Sequence, residues 1–229
     1  MTDITDIRLM VGARFRLVLL TMAATTAAAL VGVFFAPGWV VPTTVNVLVD
    51  GAFLAFIWVR RDGILGRLFL MGAVAAVVEL LLSDPAFVRR NVLVYEPGGP
   101  FVVDSPLYMP MSWIFLIVQI GALSRWAIEK WGLLRAMLFM GILGGVNGPM
   151  YEYLAQYSQL WYYQHCWSMR GVPVFVIVAE VLIGVTLPLA VLRLPRLTIP
   201  STAAVGLLIG LWTWVTGLVT FAFLGAPPG

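Results

Sequence analysis

Four carboxylic acids lie inside apolar stretches of this sequence, where a charged group is costly. They are Asp50, Glu79, Glu152 and Glu180, and none has a Lys or Arg in the interior of its own stretch. A charge on an isolated helix at mid-bilayer costs at least about 2.5–3.5 kcal/mol, so such side chains normally face a bundle interior or a wet cavity. An acid in an apolar cavity stays protonated because its charged form loses hydration, and a neighbouring carboxylate can take the donated proton back. These four acids therefore predict proton-initiated chemistry on an apolar substrate, such as protonation of an isoprenoid alkene or epoxide followed by ring closure.

Polar and aromatic side chains accompany the acids. Asn46 precedes Asp50 by four residues, which places the amide and the carboxyl on one helix face. Trp113 is one of several aromatic residues whose π-face could stabilise a carbocation. We expect Asn46 to orient Asp50 and Trp113 to line the substrate pocket.

The stretch "GGVNGPMYEYLAQY", residues 144–157, places Asn147 and Tyr151 close to Glu152. Pro149 cannot donate a backbone hydrogen bond, so the helix should kink or loosen just before Tyr151 and make room for a ligand. Close packing of helices through small residues is an alternative explanation of the glycines. That alternative leaves Asn147 and Glu152 unexplained.

The predicted site therefore has two groups of side chains and no metal. The predicted catalytic acids are Asp50, Glu152, Glu180 and Glu79, and the predicted substrate-binding residues are Asn46, Asn147, Tyr151 and Trp113.

The composition sets the class of the protein and excludes several chemistries. Hydrophobic residues make up 61% of the 229 residues and charged residues 11%, against about 25% charged in an ordinary soluble domain. The single Cys166 and single His165 exclude a cysteine-based metal site and multi-histidine iron chemistry. No DDxxD-like run supplies the paired aspartates that hold Mg²⁺ in prenyl transfer. We predict a membrane protein without cofactor whose partners are the lipid bilayer and a lipophilic substrate, with no nucleic acid.

Seven apolar segments are long enough to cross a hydrocarbon core, which needs roughly 20 residues per helix. No linker separates them, so residues 1–229 are predicted to form one all-α transmembrane domain, a seven-helix bundle. The predicted spans are 15–36, 42–59, 64–83, 106–126, 133–155, 172–193 and 199–224.

The basic residues predict the orientation of the bundle, because cytoplasmic loops carry an excess of Lys and Arg. With the N-terminus in the cytoplasm and the C-terminus outside, eleven basic residues fall on the cytoplasmic side and three, Arg89, Arg90 and Arg170, fall outside. This bias suits a multi-pass protein of a bacterial cytoplasmic membrane. From the helical rise of about 1.5 Å per residue, all four acids are expected in the outer half, where they should converge.

Two longer connections are predicted on the outer side. The first, "NVLVYEPGGPFVVD", has two β-prone runs about a Pro-Gly-Gly turn, which predicts a hairpin over the outer mouth. The second, "QYSQLWYYQHCWSMRG", is aromatic enough to rest at the headgroup level.

The size, the seven short-looped spans and the sequence "NVLVD", with Asn46 and Asp50, resemble the small integral-membrane terpene cyclases of fungal meroterpenoid and bacterial indole-sesquiterpenoid pathways. Those enzymes have an N-x-x-W-E element on an early helix, and here Val49 and Asp50 stand at its Trp and Glu positions. The resemblance implies that Asp50 is the proton donor. The seventh span here lacks the second acid that the fungal enzymes carry near the C-terminus, so the resemblance implies that Glu152 or Glu180 fills that place.

A second resemblance is to carotenoid-pathway membrane hydratases and cyclases, through "SPLYMPMSW" and "WSMRGVPVFVIVAE". It implies acid addition to an isoprenoid double bond as well, and leaves a hydratase or carotenoid-type cyclase as an alternative. A proton-coupled transporter of a small lipophilic molecule is a further alternative, because acids inside membranes often mark ion paths. The sequence is therefore interpreted as a terpene cyclase in which Asp50 donates the proton.

Overall fold

The computed structural model describes residues 4–35 and 38–225, with side chains described from residue 12 onward. In this part of the chain seven helices are long and apolar enough to cross a membrane, which confirms the predicted seven-helix bundle. The third and fourth spans end at Val88 and Trp131, five residues beyond the predicted ends at 83 and 126. The seven spans are Gly12–Phe35, Val40–Arg60, Gly63–Val88, Tyr108–Trp131, Leu133–Tyr157, Val174–Val191 and Ile199–Leu224.

The strands lie in two groups of three, one between the third and fourth spans and one between the fifth and sixth. The helices are α1 Ile4–Phe35, α2 Val40–Arg60, α3 Gly63–Val78, α4 Asp84–Val88, α5 Tyr108–Trp131, α6 Leu133–Tyr157, α7 Val174–Val191 and α8 Ile199–Leu224. The strands are β1 Leu93–Tyr95, β2 Phe101–Val102, β3 Ser105–Pro106, β4 Trp161–Tyr163, β5 Ser168–Met169 and β6 Val172–Pro173.

The third span is made of two helices joined by a π-helical turn, Glu79–Ser83. The backbone N–H of Asp84 donates to the carbonyl of Glu79, five residues earlier. A π-helical turn is wider than an α-helical one and brings residues five apart toward the same face. The turn therefore places the carboxyl groups of Glu79 and Asp84 on one side of the span.

The centre of the bundle is formed by α3 and α5, which pack on each other and carry fully buried residues such as Leu68, Met71 and Ile117. Many large apolar side chains on the outer helices are exposed, including Leu20, Phe34 and Ile142. In a membrane these outer side chains face lipid, whose tails are as apolar as Leu.

Glycines bring α6 and α7 unusually close together, and this helix pair has the most extensive contact in the bundle. A Cβ added at Gly144 would meet the backbone oxygen of Glu180, and one at Gly184 would meet the backbone oxygen of Met140. A Cβ at Gly148 would come within 2.5 Å of Cγ of Glu180. Small residues allow such backbone approach between transmembrane helices. The close packing considered as an alternative explanation of these glycines is thus present, and it coexists with the polar residues of α6.

The loops at one end of the bundle form a cap, but with a strand pairing that differs from the predicted one. The predicted hairpin is wrong, because β1 pairs with β4 of the other loop rather than with the second run of its own loop. The pairing is antiparallel, with Leu93 opposite Tyr163 and Tyr95 opposite Trp161. The strand β2 pairs instead with the adjacent β3. We call the end of the bundle that carries residues 89–107 and 158–173 the capped end.

The α6–α7 contact predicts which glycines the fold requires. Gly144→Ala and Gly184→Ala should each lower the free energy of unfolding by about 1–3 kcal/mol, because the new methyl group would overlap backbone atoms that cannot rotate away. Gly51→Ala on α2 is the control, since nothing lies within 4 Å of its added Cβ and Ala favours a helix. Thermal unfolding of the purified variants measures the difference. A loss in Gly51→Ala equal to that in the other two would contradict this explanation.

Candidate functional site

A cavity of about 230 Å³ lies between α1, α2, α5, α6 and α7, toward the capped end. Its wall is mostly apolar, with Phe115, Leu116 and Met140 among the lining residues. Six of the eight predicted site residues line this one cavity, whereas Asp50 and Glu79 do not. The six are Glu152, Glu180, Asn46, Asn147, Tyr151 and Trp113.

Both carboxyl oxygens of Glu152 accept hydrogen bonds from the capping strand β4. The indole Nε1–H of Trp161 donates to Oε2 at 2.6 Å, and the Tyr163 hydroxyl donates to Oε1 at 3.3 Å. Alternate residues of a strand share a face, so Trp161 and Tyr163 both reach the acid. These two hydrogen bonds from the cap therefore hold the Glu152 carboxyl in place. The cap also turns these aromatic rings inward, away from the headgroup position that the sequence suggested.

The carboxyl of Glu180 lines the same cavity and forms no hydrogen bond with another described residue. Its side chain crosses over Gly148, which lies one helical turn before Glu152 on α6. Glu180 and Glu152 are close enough to interact electrostatically. The glycine contact between the two helices thus brings two acids with different hydrogen bonding to one end of the cavity.

Glu79 and Asp84 form a second acidic group just behind the capping strands. Asp84 accepts hydrogen bonds from the Tyr95 hydroxyl, at 2.8 Å, and from the Ser105 hydroxyl. Burial raises the pKa of Tyr163 well above its usual value of 10, and the carboxyls of Glu152, Asp84 and Glu79 raise it further. Tyr163 therefore remains a hydrogen-bond donor at neutral pH and lies between the two acidic groups.

Asp84 was not singled out from the sequence, where it falls at the end of an apolar run and resembles a loop residue. The signal that could have found it is its spacing of five residues from Glu79. That spacing joins two residues on one face only if the helix widens into a π-helical turn.

Asp50 lies apart from the other acids, contrary to the expected convergence of all four. Its carboxyl is buried and its Oδ1 has no hydrogen-bond partner among the described residues. Asn46 does not orient it, because the Asn46 amide donates at 2.8 Å to the carbonyl of Tyr108 and to the Ser112 hydroxyl. Asn46 and Asp50 share a helix face, as the spacing predicted. However, α5 packs against α2 there, and its Tyr108 and Ser112 accept the hydrogen bonds of the Asn46 amide.

The remaining predicted residues differ in what they contact. The Tyr151 hydroxyl lies 3.0 Å from the Thr26 hydroxyl and 3.3 Å from that of Thr25, so it ties α6 to α1 rather than orienting an acid. Asn147 and Trp113 line the cavity and form no side-chain hydrogen bond with other described residues. Among the described residues no group of three or more His, Cys, Asp or Glu is placed to hold a metal ion.

Two further polar side chains of the cavity, which are not acids or neighbours of acids, were not predicted from the sequence. Gln119 of α5 and Ser158, just after α6, line the cavity, yet the Gln119 Nε2 and the Ser158 Oγ have no hydrogen-bond partner among the described residues. Gln119 is a lone amide in the apolar run "IFLIVQIGAL", which is the signal that could have identified it.

The capping contact on Glu152 can be tested with two adjacent tyrosines of β4. Tyr163→Phe removes a donor from the Glu152 carboxyl and should lower the free energy of unfolding by about 1 kcal/mol. Tyr162→Phe is the matched control, because the Tyr162 hydroxyl has no hydrogen bond to a described residue. Thermal unfolding of both variants in the same detergent compares them. Equal stability of the two variants would show that the Tyr163 hydroxyl does not support Glu152.

Comparisons with known proteins identify a family and no characterised relative. No curated protein and no solved structure matches the chain. Residues 81–224, well over half of the chain, match a family model described as a domain of unknown function (DUF6989). The matched segment contains Glu152, Glu180 and both capping loops, whereas Asp50 and Glu79 precede it. The chain therefore belongs to the DUF6989 family.

Proposed function

We propose that this protein is a membrane-embedded isoprenoid cyclase that works by proton-initiated carbocation chemistry. The observation that carries the proposal is the pair Glu152 and Glu180, two carboxyl groups with unlike hydrogen bonding in one apolar cavity. Such a pair can supply a proton at one point of a bound substrate and remove a proton at another.

The hydrogen bonds support different roles for the two acids. An ionised carboxyl group accepts hydrogen bonds only, and both oxygens of Glu152 already have donors, so Glu152 is suited to the ionised, proton-accepting role. Glu180 has no donor among the described residues, and in an apolar cavity an unpartnered carboxyl is less costly when protonated. Glu180 is therefore the proton donor. This replaces the role that the family resemblance implied for Asp50, whose carboxyl does not line the cavity.

The reaction balances without a cofactor. The Glu180 proton adds to a substrate double bond, and the resulting cation is attacked by a second double bond of the same chain, which closes a ring. Glu152 then takes a proton from a carbon next to the new cation, and a ring double bond forms. The proton passes from Glu152 back to Glu180, so the overall reaction is an isomerisation.

Aromatic side chains of the cavity wall are suited to stabilise the carbocation that such a reaction forms. Tyr108, Trp113 and Trp161 line the cavity, and the rings of Tyr108 and Trp161 stack with centroids 6.2 Å apart. The faces of aromatic rings attract cations, most strongly when water is excluded. The faces of these rings can therefore stabilise positive charge on a bound intermediate.

The proposal predicts different effects of removing the two acids. Membranes containing the protein are incubated with farnesylated and geranylgeranylated substrates, and the products are compared by mass and retention. The expected product is a cyclic isomer of the substrate. Glu180→Gln should abolish its formation and Glu152→Gln should reduce it at least about a hundredfold, because a positioned general acid or base contributes typically 10²–10⁴-fold.

Two variants serve as controls for this assay. Glu96→Gln changes an exposed acid of the capped end and should leave turnover unchanged. Asp50→Asn should retain turnover, because Asp50 does not line the cavity. Normal turnover by Glu180→Gln would reject the proposed donor. A product heavier by one water would identify a hydratase instead.

A further inference from the structure

The cavity contains a buried amide that the proposed proton transfers do not use. Gln119 is only 3% exposed, lines the cavity, and its Nε2 has no hydrogen-bond partner among the described residues. Buried polar groups are nearly always hydrogen-bonded, and leaving one unpaired costs free energy that a suitable ligand can recover. An unpartnered amide on the wall of a mostly apolar cavity therefore points to a polar group on the bound molecule.

The amide and the acids lie at different depths. Gln119 is eleven residues into α5, about 16 Å below the capped end at 1.5 Å per residue, whereas Glu152 is five residues, about 8 Å, from the end of α6. The wall between them is mostly apolar and includes Phe115 and Leu116. A molecule that contacts both ends must therefore be apolar in its middle, with a reactive group at the capped end and a polar group about 8 Å deeper.

We infer that the substrate is an oxygen-bearing isoprenoid whose hydroxyl, carbonyl or ether oxygen accepts a hydrogen bond from Gln119 while its reacting double bond lies beside Glu180. A pure hydrocarbon would leave the amide unpaired, and sites built to bond a polar group discriminate against analogues that lack it. The inference rests on the proposed function for the identity of the reacting group. Recognition of the oxygen by Gln119 requires no turnover and can be measured by itself.

The experiment compares two probes that differ by one oxygen. They are geraniol and 2,6-dimethylocta-2,6-diene, the hydrocarbon that lacks its hydroxyl group. Isotope-labelled probe is partitioned between lipid nanodiscs that contain the protein and empty nanodiscs of the same lipid, which corrects for solubility in the bilayer. Each probe is measured with the wild-type protein, with Gln119→Leu and with Ser124→Ala.

Gln119→Leu keeps a side chain of similar size and removes the amide. It should weaken geraniol binding about tenfold, the effect of one well-placed hydrogen bond in a dry site, and leave hydrocarbon binding within about twofold. Ser124→Ala is the control on the same helix, because the Ser124 hydroxyl is buried and bonds to the carbonyl of Ile120. It should change neither probe. Gln119→Met provides a second apolar replacement if the Leu variant unfolds.

Three results would overturn the inference: no geraniol binding by the wild-type protein, an equal effect of Gln119→Leu on both probes, or unchanged geraniol binding in that variant. The last result would arise if a bound water satisfied the amide. Glu180→Gln separates this inference from the proposed function, since it should lose turnover and keep the preference for geraniol. A protein that prefers geraniol through Gln119 but forms no cyclic product sustains the inference and rejects the cyclase.

Discussion

The close approach of α6 and α7 is the constraint on which the candidate site depends. Gly144 and Gly184 let the two backbones meet, and Gly148 leaves room for the Glu180 side chain to cross toward Glu152. In a membrane this contact is held by packing rather than by the hydrophobic effect, since lipid tails are as apolar as the helices. The same glycines thus stabilise the bundle and set the separation of the two acids.

The cap gives Glu152 and Glu180 different hydrogen bonding. Because β1 and β4 come from separate loops, their pairing closes one end of the bundle and turns Trp161 and Tyr163 toward the interior. Both donors bind Glu152 and neither binds Glu180. Two glutamate side chains of one cavity therefore have different surroundings. Different surroundings are what distinguish the acid from the base in a pair of carboxyl groups.

The sequence was sufficient for the spans and for part of the site. Span length and helical rise place Glu152 and Glu180 at compatible depths, and both line the cavity. The same reasoning fails for Asp50, because depth does not fix the direction in which a side chain points around its helix. Asp84 was not recognised, because its spacing of five residues from Glu79 brings the two acids together only through a π-helical turn, which the apolar pattern does not reveal. The cap depends on strand pairing between distant loops, which short local patterns do not encode.

Infrared spectroscopy of the protein in lipid bilayers tests the central claim, that one cavity acid is protonated while the other is ionised. A protonated carboxyl group has a carbonyl stretching band distinct from the carboxylate bands, and the band shifts when its proton is exchanged for deuterium. The account predicts that Glu180→Gln removes one such band from the wild-type spectrum and that Glu152→Gln leaves it in place. An unchanged band in Glu180→Gln, or its loss in Glu152→Gln instead, would contradict the account.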